Sequence, residues 1–147
     1  MRIFFLRLTE IGRLADIEPT PEPDPWAEKA EQFVFDGELA EFVRRYKDDL
    51  SILVGEQDGL VVAVGVMYPD PKFYATRLGS IVVDHRARRS GYGMAMLQAM
   101  VSEGLKTGNV CWLVHPNNAG MLICARRLEP KPDEASIDDG YVMFIAP

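Results

Sequence analysis

The sequence predicts an α/β domain with a mixed, mostly antiparallel central sheet flanked by helices. Three observations carry that expectation. Three apolar runs of strand length, at 51–56, 60–68 and 73–83, follow one another with only turn residues between them, which is the pattern of a meander. The third run then passes through a cationic, glycine-bearing loop into a long amphipathic segment. Finally, 147 residues that are 48% hydrophobic and 26% charged suit one domain, spanning 1–147, that is large enough for a real core. No internal repeat or linker divides it.

Taken in order, Ile3 to Leu8 reads as a first strand, and Thr9 is placed to cap a short helix from about Glu10 to Asp16. Pro19, Pro21, Pro23 and Pro25 alternate along the next stretch, which no helix or central strand can accommodate, so it is an extended loop. Trp26 to Phe33 and Glu38 to Tyr46 have helical periodicity, with Leu39, Phe42, Val43 and Tyr46 on one face of the second. Ser51–Glu56 and Leu60–Tyr68 are strands joined across Gln57-Asp58-Gly59, a strong hairpin signal. Pro69-Asp70-Pro71 ends the second, and Phe73–Val83 completes the meander. Tyr92 to Lys106 is a helix whose Met94, Leu97, Val101 and Leu105 recur at core-facing spacing. Asn109–His115 is a strand, and Asn118 to about Leu128 a helix with Arg126 and Arg127 near its negative end. Residues 129–140 hold two prolines and room for one short strand, and Tyr141–Ala146 closes the sheet.

Charge and cysteine usage narrow the function. A net charge of −6 argues against tracking a phosphate backbone, so nucleic acid is disfavoured as a partner. The same acidity suits a cationic acceptor such as an amine. Two cysteines, Cys111 and Cys124, are too few for a disulfide framework and point to a reducing cytoplasm. The N-terminal apolar run is too short for a secretion signal, and no 18-residue apolar span exists to engage a membrane.

The chemistry concentrates at Arg88-Arg89-Ser90-Gly91-Tyr92-Gly93. A strand–loop–helix junction aims free backbone N–H groups and a positive dipole end at one spot, which suits a phosphate. Glycines there let backbone approach the ligand. A nucleotide P-loop would require a Lys after the second glycine, and a dinucleotide fold would require parallel βαβ repeats; neither pattern is present.

From Val83 to Gly93 the sequence resembles the signature of the GNAT superfamily of acyl-CoA-dependent N-acyltransferases. Val83, Arg88, Gly91 and Gly93 fall on the family positions, and the element order along all 147 residues matches. The resemblance implies acetyl-CoA, or another acyl-CoA, as co-substrate, and no metal. It implies that backbone at Ile81, Val82 and Val83 holds the pantetheine arm. Arg88, Arg89, Ser90, Gly91, Tyr92, Gly93 and Met94 would cradle the pyrophosphate, with Arg86 as a further cation. It also implies a sheet splayed between its fourth and fifth strands, and an asparagine, here Asn117, within reach of the pantetheine. Val114-His115-Pro116-Asn117-Asn118 is the second matching segment.

The match departs seven residues past Asn117. Cys124 stands where the family often has a tyrosine that protonates the departing thiolate, and a thiol reaches less far than a phenol. The Gly-Phe pair that often closes the motif is absent. An acceptor amine with a lysine-like pKa is neutral in only about one molecule in 2,500 at pH 7, so a base or proton wire is needed. His115, whose imidazole class titrates near neutrality, and Asp84 are the candidates. The implied reaction is acetyl transfer to a primary amine of a small molecule or protein by direct attack. Two other readings stay open: an acyl-CoA-binding sensor or partner module with weak catalysis, and a toxin-type acetyltransferase acting on aminoacyl-tRNA. A homodimer is compatible with either.

Overall fold

The computed structural model describes residues 1–21, 30, 31, 34, 38–88, 90–137 and 139–147. Seven strands, β1 (Arg2–Phe5), β2 (Ser51–Gln57), β3 (Leu60–Asp70), β4 (Ala75–Val83), β5 (Asn109–Val114), β6 (Asp133–Ser136) and β7 (Val142–Ala146), form one sheet. Their order is β1-β2-β3-β4-β5-β7-β6. Every neighbouring pair is antiparallel except β4 and β5, which run parallel. The helices include 3₁₀ segments at Leu8–Asp16, Lys47–Asp49 and His85–Ala87, and α1 (Glu38–Tyr46), α2 (Tyr92–Leu105) and α3 (Ala119–Arg126).

The meander forms as expected, with small changes at its ends. Gln57 pairs with Leu60, leaving a two-residue turn in which Asp58 (φ 53°) and Gly59 (φ 81°) both take positive φ. That is the turn geometry whose twist matches a hairpin. Pro69 does not end β3 but pairs with Thr76 near the strand terminus, where a missing N–H is tolerated. The first strand is shorter than its apolar run, because Leu8 already belongs to the 3₁₀ segment. Arg7 occupies the cap position there with no side-chain cap bond, so Thr9 does not cap it. The helix expected over 26–33 falls largely outside the described residues, as do Arg89 and most of the proline segment; Ala30, Glu31 and Val34 are helical.

Strand periodicity divides the core in two. On one face Leu53, Met67, Leu78, Trp112 and Phe144 pack under Met96, Leu97 and Met100 of α2 and Ala125 of α3. On the other, Ile52, Val54, Val64, Val66 and Val82 pack under Leu14 of the 3₁₀ segment and Leu39 of α1. The buried side of α2 is wider than the sequence stripe: Met96 and Met100 are wholly buried beside Leu97. Gly104 lets α2 lie close to β5, since an added Cβ would strike Val110.

Two features of β4 set up the site. Gly65 faces Ile81, but Met67 faces Leu78, so Gly79-Ser80 carries one residue too many opposite Val66. Such a bulge leaves a residue outside the ladder and bends the strand. Pairing of β4 with β5 also stops at Leu78–Trp112. From Gly79 onward the two strands part.

Candidate active site

Two cavities open where the strands separate. The larger, about 440 Å³, is lined along one side by Ile81, Val82 and Val83, whose edge toward β5 is unpaired. Arg88, Gly91, Tyr92, Gly93 and Met94 form its end, and Met121 and Cys124 of α3 its far wall. The smaller, about 350 Å³, is walled by the bulge residues Gly79 and Ser80, by Arg77 and Tyr68, and across the split by Trp112 and His115. Ala30, Ile81, Asn118 and Met121 line both, so the cavities are neighbours that share a wall. Both have the size of small-ligand sites.

The cofactor end is made mostly of backbone. Gly91 caps α2 in the left-handed region, φ 78°, which a residue with a Cβ enters only at a cost. A Cβ added at Gly91 or Gly93 would meet no atom within 4 Å, so main chain is presented bare to the cavity. The first turn of α2 adds N–H groups without intrahelical acceptors. This arrangement fits a pyrophosphate, and the free edge of β4 fits a ligand that hydrogen-bonds like an added strand. Ser90 is exposed and lines neither cavity.

The arginines divide their labour. Arg86 is committed to the protein, donating to both oxygens of Asp84 at 3.0 and 2.8 Å and lying 3.1 Å from Glu18. Arg88 lines the cofactor cavity, bonded to the Thr20 hydroxyl at 2.5 Å and 3.7 Å from the buried carboxylate of Glu31. Glu31 also accepts from the Thr20 N–H at 3.0 Å.

Asp84 lines neither cavity. Its carboxylate is buried and accepts from the backbone of Glu18 and Arg86, each at 2.8 Å, besides the Arg86 side chain. The Arg86 bonds, foremost, hold its acidity far on the strong side of the usual carboxylate range, against the opposing effect of burial. Such a group is a scaffold, and a poor proton acceptor near pH 7.

His115 does line the acceptor-side cavity, edge-on to Tyr141 with ring centres 5.3 Å apart. Its Nδ1 accepts the Asn117 N–H at 3.1 Å. The Nδ1 lone pair is therefore engaged by the backbone. Asn117 is exposed and faces neither cavity. The asparagine at the site is the next one: Asn118 lines both cavities, and its Oδ1 caps α3 by accepting from Met121 N–H at 3.2 Å. Cys124 sits in the cofactor cavity wall, and burial pushes its thiol upward, so it stays protonated near neutrality.

Several site residues carried no sequence signal. Glu38, at the start of α1, is the one carboxylate among the described residues lining the smaller cavity, and it has no ion pair among them. Arg77 and Trp112 also line it, and each holds a buried N–H without an acceptor. Sheet register places Arg77 and Trp112 there, and the packing of α1 places Glu38.

Seven strands with one parallel pair, a split beyond that pair and a glycine-opened helix facing the split define an acyl-CoA-dependent acyltransferase scaffold. Residues 11–128 match the family model described as the acetyltransferase (GNAT) family. The chain belongs to that family, whose members are acetyl-CoA-dependent N-acetyltransferases. It is similar to the ribosomal-protein-S18-alanine N-acetyltransferase from Escherichia coli, at 21% identity over 98% of this chain and 90% of that one, TM-score 0.66. The GNAT domain of S. lividans PAT matches at 15% identity, 99% and 89% coverage, TM-score 0.73. The PaiA N-acetyltransferase from Thermoplasma acidophilum, in complex with coenzyme A, matches at 12% identity, 99% and 98% coverage, TM-score 0.71. Comparison with curated protein sequences returns no match. Among the described residues no helix is long and apolar enough to cross a membrane.

Proposed function

We propose that residues 1–147 act as one domain that transfers an acetyl group to the primary amine of an acceptor seated in the smaller cavity, by direct attack. The observation that carries this reading is the adjacency of the two cavities, which share Ile81 and Asn118, at the parting of β4 and β5. A ligand held along Ile81–Val83 thereby meets a second ligand entering from the α1 side. Acetyl-CoA supplies the activated acyl group as a thioester.

The chain's own residues do the rest. Backbone of β4 and the first turn of α2 hold the cofactor, with Arg88 leaving Glu31 for the phosphates. Asn118 steadies the arm where the cavities meet. Glu38 attracts the acceptor ammonium and takes its proton, directly or through water. His115 lines the same cavity with its Nδ1 lone pair already engaged by the backbone. A protonated Cys124 supports direct attack over a covalent relay, because the thiolate is the nucleophilic form.

The test is CoA release measured across a panel of primary amines. Amine-dependent release is the expected result. Tight acetyl-CoA binding without release on any amine would favour the binding-module reading instead, for which the absent helix tyrosine at Cys124 is the supporting observation.

A further inference from the structure

Among the described residues two charged side chains are buried, Asp84 and Glu31. Asp84 lies outside both cavities, whereas Glu31 is in the wall of the cofactor cavity, which ends at the loop and helix start that fit a pyrophosphate. Its Oε1 accepts the Thr20 N–H at 3.0 Å and lies 3.7 Å from Nη2 of Arg88, which itself bonds to the Thr20 hydroxyl at 2.5 Å. No other cation pairs with Glu31 among the described residues. The arginine side chain is 46% exposed and the glutamate side chain 9%, so a ligand can reach the guanidinium while the acid stays withdrawn.

A carboxylate is out of keeping with a phosphate site, because like charges at close range repel, and more strongly where protein displaces water. The bond to the Thr20 N–H does not call for a charge, since a neutral amide oxygen accepts the same donor. What the charge adds is a hold on Arg88. A cation with an anion 3.7 Å away presents little net charge to a third group, and its Nη2 is already drawn to Thr20. Ligand phosphates therefore compete with Glu31 for the one arginine that lines their cavity among the described residues.

We infer that Glu31 is a positioning residue that holds cofactor affinity down: it keeps Arg88 partly neutralised and turned toward Thr20, so acyl-CoA binds less tightly than the site allows. The product CoA carries the same phosphates, so the same competition eases its release after each transfer. This rests on the proposed role of Arg88 as the cation that meets those phosphates.

The experiment is calorimetry of CoA, and of pantetheine, which lacks the phosphates, against wild type, Glu31→Gln and Arg88→Met. Glu31→Gln is expected to tighten CoA about tenfold, within the usual range of coupling between sites, and to leave pantetheine within about twofold. Arg88→Met is expected to weaken CoA about tenfold, a charge-assisted contact being lost, again with little change for pantetheine. In steady state the KM for acetyl-CoA should fall with Kd in Glu31→Gln while kcat does not rise, because the gain is in binding alone. If Glu31→Gln does not fold, Glu31→Met removes the same charge at similar length and is read by the same outcomes. Unchanged or weaker CoA binding in the neutral variant, with Arg88→Met still costing affinity, overturns the inference and leaves Arg88 on the phosphates. An equal gain for CoA and pantetheine also overturns it, since a change of cavity shape would then be the cause. Unchanged CoA affinity in Arg88→Met removes Arg88 from the cofactor site and the inference with it. Absence of turnover on any amine sinks the transfer reading, and the binding comparisons then decide the role of Glu31.

Discussion

The two cavities that meet at the split are built from different material. The cofactor cavity rests on consecutive backbone, from Ile81 through the loop to Met94, with glycines where the chain must turn or lie bare. The acceptor cavity is assembled from residues of β3, β4, β5 and α1 and from Tyr141 just before β7, which lie far apart in the sequence. A ligand common to a family can be held by main chain, which constrains few residues. A particular acceptor has to be recognised by side chains, which are free to vary. Perturbing the first cavity should therefore change folding or cofactor affinity, and perturbing the second should change turnover.

The largest effect is expected at the anchor of the backbone cavity. Asp84 ties the Glu18 and Arg86 amides to the end of β4, and Asp84→Asn would set an amide donor against those N–H groups. A loss on the order of 3 kcal/mol is expected, typical of breaking a buried, charge-assisted network. The carboxyl's acidity is strengthened by folding, so its stabilisation is complete above about pH 4–5 and is lost as pH falls below the unfolded value of about 3.9. Urea unfolding of wild type and variant should therefore differ most at neutral pH and converge on acidification. A gap that widened toward low pH would show that Asp84 is not the anchor.

The next effect tests bare backbone directly. Gly91→Val places a β-branched residue at φ 78° and fills the space in front of the loop. Affinity for acetyl-CoA should fall about a hundredfold, equivalent to about 2.7 kcal/mol, with Gly91→Ala intermediate because αL costs an ordinary residue roughly 1–2 kcal/mol. Calorimetry giving unchanged affinity for the valine variant would mean that the phosphates bind elsewhere.

This contrast explains what the sequence could disclose. The sheet was readable because its strands alternate and its turns carry Asp58-Gly59 and proline signals, and the cofactor loop because its glycines and arginines are contiguous. The bulge at Gly79-Ser80 was not readable, since a one-residue surplus is defined only against the partner strand. Neither was the placement of Asn118 rather than Asn117, which a one-residue shift at the helix cap decides. Asp84 and Arg86 looked like a base and a phosphate ligand because charge near a loop is visible in sequence, whereas their mutual bond is not. Glu38, Arg77 and Trp112 converge only through tertiary structure.

A smaller effect belongs to the side-chain cavity. Glu38→Gln keeps the shape and removes the charge, so the acceptor loses its electrostatic partner while the cofactor wall is untouched. Turnover with a primary amine should fall about tenfold, on the order of 1.4 kcal/mol, less than the roughly hundredfold or more of a base in direct contact, because water can still relay the proton. CoA affinity should stay within twofold. If CoA affinity and turnover fell together, the two cavities would not be separable in the way their construction suggests.

The smallest effect is expected at Cys124, where the comparison is sharpest because this residue faces the cofactor cavity from α3 yet contributes a side chain. Its thiol is only partly buried, so Cys124→Ala removes one sulfur without opening a large void, and about 1 kcal/mol or less of stability should be lost. Burial holds the thiol protonated, which leaves it unfit as a nucleophile near pH 7. It could still act as a proton donor, but a thiol ends nearer its own backbone than the phenol that often occupies this family position. Turnover within twofold of wild type is therefore the expected outcome, measured as CoA release at saturating acetyl-CoA. A hundredfold loss with folding and CoA affinity intact would make Cys124 the acid that protonates the departing thiolate, and would place catalytic chemistry on the wall assigned here to binding alone.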